Sequence, residues 1–153
     1  MRVREYCEND YHEIADLFHA SVHAIDNAAY SSDDLEAWAP SEIDYNHWKD
    51  RLALKKPYVA VKNDMIAGFI ELENSGHIDC LYVHPSCWKQ GVATQLLDYA
   101  LRKAKEKGID RVFVEVSEVA KPLFVVCGFR VISENKVQRR GRELINYKMD
   151  FHL

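Results

Sequence analysis

Positive charge is the first thing this chain is short of. Its 20 lysines and arginines face 24 aspartates and glutamates, a net charge of −4. That balance argues against a nucleic-acid partner, whose footprint is a basic patch. Long apolar runs are missing too. None approaches the ~18 residues of a membrane span, and the opening MRVREYCEND holds no signal-peptide core. The four cysteines, at 7, 80, 87 and 127, make neither a CxxC pair nor an extracellular framework, so they read as free thiols in a reducing cytoplasm. No metal and no membrane contact are expected. Linkers, repeats and low-complexity tracts are absent as well, so residues 1–153 read as one domain. What is present is ordinary globular material, 48% hydrophobic and 29% charged, in a length that carries a full core.

The most informative stretch runs from His77 to Gly108. Ile78, Cys80 and Tyr82 alternate with Asp79, Leu81 and Val83, a strand pattern that stops at His84-Pro85, where proline cannot continue a ladder. Val92, Leu96, Leu97, Ala100, Leu101 and Ala104 then recur at helical spacing, and Gly108 supplies the stop. Between them lies Trp88-Lys89-Gln90-Gly91-Val92-Ala93-Thr94. A strand feeding a tight turn with small residues at 91 and 93 aims free backbone N–H groups at one spot, with the positive end of a helix dipole behind them. That is an anion site suited to a phosphate or pyrophosphate. On spacing alone, an ordinary strand-to-helix turn containing a glycine explains it equally well. It is neither a P-loop, since no Gly-Lys-Ser/Thr follows, nor a three-glycine dinucleotide turn.

The rest of the pattern predicts an α+β fold with a mixed, mostly antiparallel sheet flanked by helices. A strand over Arg2–Tyr6 precedes a helix capped at Asn9-Asp10; a short helix starts at Asp34, and another runs from Asp44 to Leu54. Tyr58–Lys62 and Met65–Glu73 form a hairpin turned at Asn63-Asp64. Arg111–Val116 reads as a strand covered on both faces, Ser117–Cys127 as a helix ended by Gly128, and Phe129–Lys136 with Arg142–Phe151 as a closing antiparallel pair.

Taken in order, Leu81-Tyr82-Val83-His84-Pro85, the turn with Gly91 and Ala93, and Ala120-x-x-x-Phe124-x-x-x-Gly128-Phe129 resemble the GNAT superfamily of acetyl-CoA-dependent N-acetyltransferases. Ala37-Trp38-Ala39-Pro40 and Arg139-Arg140-Gly141 resemble segments of its small bacterial members. The resemblance implies the GNAT fold, acetyl-CoA as cosubstrate held by the 88–94 turn, and pairing of the Leu81 and Val83 backbone with the pantetheine arm. It also implies that a backbone N–H of Leu81 or Tyr82 polarises the acetyl carbonyl. Ser117 stands where many relatives carry a CoA-binding asparagine, and it serves equally well as a plain helix N-cap. Two positions depart from the family. Trp88 opens the loop where Gln or Arg is usual, and Phe124 replaces the tyrosine that protonates the departing thiolate. The acceptor implied is a small-molecule or peptide amine, and a homodimer is compatible with the family.

Transfer to an amine needs a base, because an alkyl ammonium has a pKa of ~10.4. His77 is the candidate: it lies four residues before Leu81, where several relatives place a glutamate, and alternation puts 77, 79, 81 and 83 on one face. The plainer alternative is an exposed strand end beside Gly76. Asp79 shares that face and is placed to orient the imidazole; Glu71, on the neighbouring strand, is a second carboxylate to weigh against a solvated strand face. Tyr30 and Trp38 offer aromatic surface to a cationic amine, with Tyr147 at the pocket edge, although tryptophans of this kind serve equally as packing anchors. A non-catalytic CoA-binding regulatory protein, or an acyltransferase for another acyl-CoA or acceptor, would carry the same motifs.

Overall fold

The computed structural model describes residues 1–25, 30–139 and 142–153; Arg140 and Gly141 of the RRG segment lie outside them. The elements are β1 (Arg2–Glu5), α1 (Tyr11–His23), α2 (Ser32–Trp38), α3 (Tyr45–Lys55), β2 (Tyr58–Lys62), β3 (Met65–Leu72), β4 (Ile78–Val83), α4 (Val92–Glu106), β5 (Arg111–Ser117), α5 (Lys121–Val126), β6 (Arg130–Arg139) and β7 (Arg142–His152). The α+β architecture holds, with strands divided between a sheet of order β1-β2-β3-β4 and a sheet of order β5-β7-β6. None of the described helices is long and apolar enough to cross a membrane. The chain divides into two compact units, Met1–Glu71 with Cys80–Leu96, and Leu72–Asp79 with Leu97–Leu153.

In the first unit, α2 begins at Ser32 rather than at Asp34. Ser31 caps it: its Oγ accepts from the Asp34 N–H, and the Asp34 carboxylate accepts from the Ser31 N–H, a reciprocal capping box that draws the helix start back. Asp44 caps α3 by accepting from the His47 N–H at 3.0 Å, as its position predicts. The β2–β3 turn falls on Asn63 and Asp64, both with positive φ (52° and 61°), a geometry these two residue types tolerate best after glycine. A bulge follows at Ala60/Val61, and the Ala67 carbonyl opposite it accepts from the His84 N–H. Ile14, Leu17, Leu52, Val59, Ile66 and Phe69 fill this core.

In the second unit, β7 lies between β5 and β6 and pairs antiparallel with both. Contrary to expectation, β5 is covered on one face only. Val112, Val114 and Val116 are buried, whereas Glu115 and Ser117 are exposed, so its alternation carries the usual period of two. The helix expected over 117–127 is shorter, because Ser117 is still in ladder register with Asn146 and residues 118–120 form a turn. Asp150, buried on β7, accepts from Arg111 of β5 and Arg130 of β6, each at 2.9 Å. Burial by itself would raise its pKa; the two guanidiniums outweigh that and hold it at about 2.

Candidate active site

The turn before α4 is built from the end of β4 forward. His84 Nδ1 accepts from the Ser86 N–H, capping a short 3-10 turn over Pro85–Cys87, so His84 is structural as its place before proline suggests. Trp88, exposed, donates from its indole nitrogen to the Val83 carbonyl at 2.9 Å and braces the strand end. Lys89 (φ 60°) and Gly91 (φ 82°) are both left-handed, and Val92 opens the helix. Two left-handed residues one position apart, ahead of the positive end of a 15-residue helix, give the turn a backbone of the kind that directs N–H groups toward an anion. A Cβ at Gly91 would meet nothing within 4 Å, so the approach to the backbone is open. Lys62 donates to the Gln90 side chain, while Ala93 and Thr94 lie half-buried in the first helical turn.

Behind this turn in the same unit lies an aromatic cluster. Leu81, Tyr82 and Val83 are half-buried along β4. The Tyr82 ring packs against Phe18 and Phe69, at centroid distances of 4.9 and 5.8 Å, and its hydroxyl accepts from Trp38. Burial pushes the Tyr82 phenol far above its ordinary range, which keeps it a neutral hydroxyl. Tyr30 stands edge-on to Trp38 at 5.6 Å, both packed over Val22, Leu35 and Ala39.

Glu71 is not on a solvated strand face: it is fully buried and takes a fork from Arg51, at 2.6 Å to Oε1 and 3.2 Å to Oε2. A carboxylate there is tolerable only because the guanidinium faces it. Removing the partner in Arg51→Met strands the charge. Arg51 is 32% exposed, so the loss should fall below the full buried-pair range, at about 2 kcal/mol or ~4–8 °C in a thermal melt. The Arg51→Met/Glu71→Gln double variant should recover at least half. A single variant melting with the wild type would show that water reaches the carboxylate.

The second unit holds His77 among carboxylates. The backbone turns sharply at Gly76, and an isolated parallel bridge pairs His77 with Phe113 of β5. His77 Nδ1 lies 2.5 Å from Glu73 Oε1, and Nε2 lies 2.8 Å from Glu115 Oε2. Asp79 adds a third carboxylate, with one donor atom each of Glu73, His77 and Asp79 within 4.8 Å of one another. Burial disfavours charge on the imidazole, but the bonds to Glu73 and Glu115 outweigh it and raise its pKa. The imidazole side chain is only 21% exposed, so His77 is not a bare strand end. Elsewhere in this unit, Ser117 Oγ accepts from the Ala120 N–H, holding the turn before α5. Phe124 is buried edge-on against Phe129, and Tyr147 is buried with the Lys121 ammonium 4.3 Å over its ring.

Comparison with known proteins gives the family. The model of the GNAT acetyltransferase domain matches residues 26–151. The chain belongs to the GNAT family. This GNAT protein is 31% identical over 152 residues to the uncharacterized N-acetyltransferase YafP of Escherichia coli K12, covering 99% of this chain and 95% of that protein. It also superposes, with a TM-score of 0.86 and 30% identity, on the crystal structure of a GCN5-related N-acetyltransferase from Rhodopseudomonas palustris, covering 99% and 95% of the two chains. A putative acetyltransferase from Salmonella typhimurium, yncA, whose structure was solved with its cofactor acetyl-CoA, shares the fold at a TM-score of 0.78 and 18% identity, covering 99% and 93%. The protein is an N-acetyltransferase.

Three polar partners escaped the sequence reading: Arg51, which neutralises Glu71, and Glu73 and Glu115, which both reach His77. Arg51 sits in a helix rich in charges, and nothing marks it as the one that turns inward. Glu115 is 38 residues from His77. The parallel pairing of His77 with Phe113, invisible in a single sequence, brings the two together.

Proposed function

We propose that this GNAT protein transfers the acetyl group of acetyl-CoA to a primary amine by direct attack on the thioester, with His77 as the base. The turn with left-handed Lys89 and Gly91 ahead of α4 carries the reading, since a pyrophosphate is what such a turn suits. The acetyl-CoA described for the Salmonella relative supports the same cosubstrate. In the step proposed, the amine nitrogen bonds to the acetyl carbon, a backbone N–H of Leu81 or Tyr82 steadies the oxyanion, and the C–S bond breaks. The amine's proton passes to His77, directly or through water, with Asp79 reinforcing the imidazolium. Phe124 has no proton to give, and a thiol of pKa about 8.5 leaves acceptably as thiolate. Ser117 hydrogen-bonds CoA, Phe124 packs against its arm, and Tyr30, Trp38 and Tyr147 contact the acceptor. The reading places the protein in the cytoplasm, where acetyl-CoA is made and used.

Thiol release from acetyl-CoA across a panel of polyamines, amino sugars, lysine peptides and N-terminal peptides tests it, alongside thermal shifts with acetyl-CoA, CoA and an oligonucleotide. Acetyl-CoA should raise the melting temperature, the oligonucleotide should not, and one amine class should turn over. Stabilisation by CoA with no turnover on any amine would instead favour a regulatory CoA-binding protein, which the buried Phe124 would suit.

A further inference from the structure

Ionised carboxylates only accept hydrogen bonds, and a neutral imidazole carries a single N–H. With Glu73 at Nδ1 and Glu115 at Nε2, both ring nitrogens are satisfied only when both carry protons. These two contacts fit an imidazolium, which has no lone pair and cannot act as a base. One of the two contacts must open before His77 can work.

The surroundings distinguish them. Glu73 sits in the β3–β4 turn, whose backbone is tied twice, by Glu73 N–H to the His77 carbonyl at 2.8 Å and by Gly76 N–H to the Glu73 carbonyl at 2.9 Å. Its carboxylate makes the shorter contact, at 2.5 Å. Glu115 projects from the exposed face of β5 with its side chain 46% accessible, at 2.8 Å. Asp79, on β4, is the remaining carboxylate of the group. Arg111, a cation on the adjoining strand, lies 4.9 Å over the Phe113 ring and donates to Asp150.

We propose that Glu115 is a proton-dependent latch on His77 and Glu73 its orienting carboxylate. The inference rests on the reading of His77 as base. When Nε2 gives its proton to solvent, Glu115 swings into water, because two facing lone pairs repel. Nδ1–H stays on Glu73, fixing the tautomer with the Nε2 lone pair open. During acetyl transfer, the N–C bond forms, the C–S bond breaks to thiolate, and the amine proton moves to Nε2. Glu115 then recaptures the imidazolium until solvent removes that proton for the next cycle. Both glutamates are positioning residues: neither touches the reacting atoms.

Imidazole 15N NMR titrations of the full chain, with pH profiles of kcat/KM on the amine found above, test the latch in wild type, Glu115→Gln and Glu73→Gln. Glu115→Gln should lower the His77 midpoint by about half to one pH unit, the scale set by losing one adjacent charge, and the acid limb of kcat/KM should move with it. The neutral wild-type ring should be the Nδ1–H tautomer, and Glu73→Gln should mix the tautomers. An unmoved midpoint in Glu115→Gln, or an Nε2–H tautomer in wild type, overturns the latch and leaves His77 free to be the base. A midpoint that moves while the kinetic limb stays put overturns the catalytic role of the latch, and with it the reading of His77 as base.

Discussion

Removing the imidazole in His77→Ala should lower kcat/KM for amine acetylation at pH 7 by about a hundredfold to ten-thousandfold, the span that general-base catalysis contributes. The affinity for acetyl-CoA should survive, because the α4 turn does not use this residue. The deficit should shrink about tenfold per pH unit on the way toward ~10.4, as the amine sheds its own proton and needs the base less. This slope separates lost base chemistry from a damaged fold, which would show no such recovery. A variant within threefold of wild type at pH 7 would remove His77 from the mechanism and turn attention to Asp79. Glu71 is a poorer substitute, since its carboxylate is fully buried and already forked to Arg51.

Gly76→Ala should be among the most damaging single-methyl additions to the chain. Gly76 has φ +95°, and an added Cβ would lie 2.1 Å from the Arg111 carbonyl oxygen and 3.2 Å from the Ile109 side chain. The first of these is backbone, so relief requires the two segments to part. Left-handed strain and overpacking together should cost about 3 kcal/mol, or ~6–12 °C in melting temperature. Parting them would also loosen the Phe113 N–H from the Gly76 carbonyl, 3.0 Å away, and so shift His77 relative to Glu115. Gly91→Ala is the comparison. It has a similar φ of +82° but open space around the new methyl, so it should lose only about 1 kcal/mol. Equal melting temperatures for the two variants would show that the Arg111 segment yields easily.

How much of this was legible beforehand depended on the distance in sequence between the residues concerned. The strand–turn–helix around 78–106 and the Asn63-Asp64 hairpin are local, since periodicity and turn chemistry lie within a few residues of one another. The start of α2 was misplaced because both Ser31 and Asp34 are good capping residues, and only the reciprocal bonds show which one leads. Glu71 and Glu73 look alike as a Glu-Leu-Glu pair. One is fully buried against Arg51, while the other, past the strand end, binds His77. Which helix faces Glu71, and which strand approaches His77, are tertiary facts with no local trace.

The placement of β7 also governs how the second unit comes into being. The last of the described strands lies in the middle of its sheet, so β5 and β6 lack their neighbour in that sheet until it arrives. On a ribosome, β5 would emerge and wait with an unpaired edge through the synthesis of α5 and β6. The β6–β7 hairpin can close locally, but β5 joins only when Arg111 meets His152 across 41 residues of chain (152 − 111). Such a late, long-range closure makes folding of this unit slow relative to its size and leaves its strand edges exposed to chaperones and to one another in the interval.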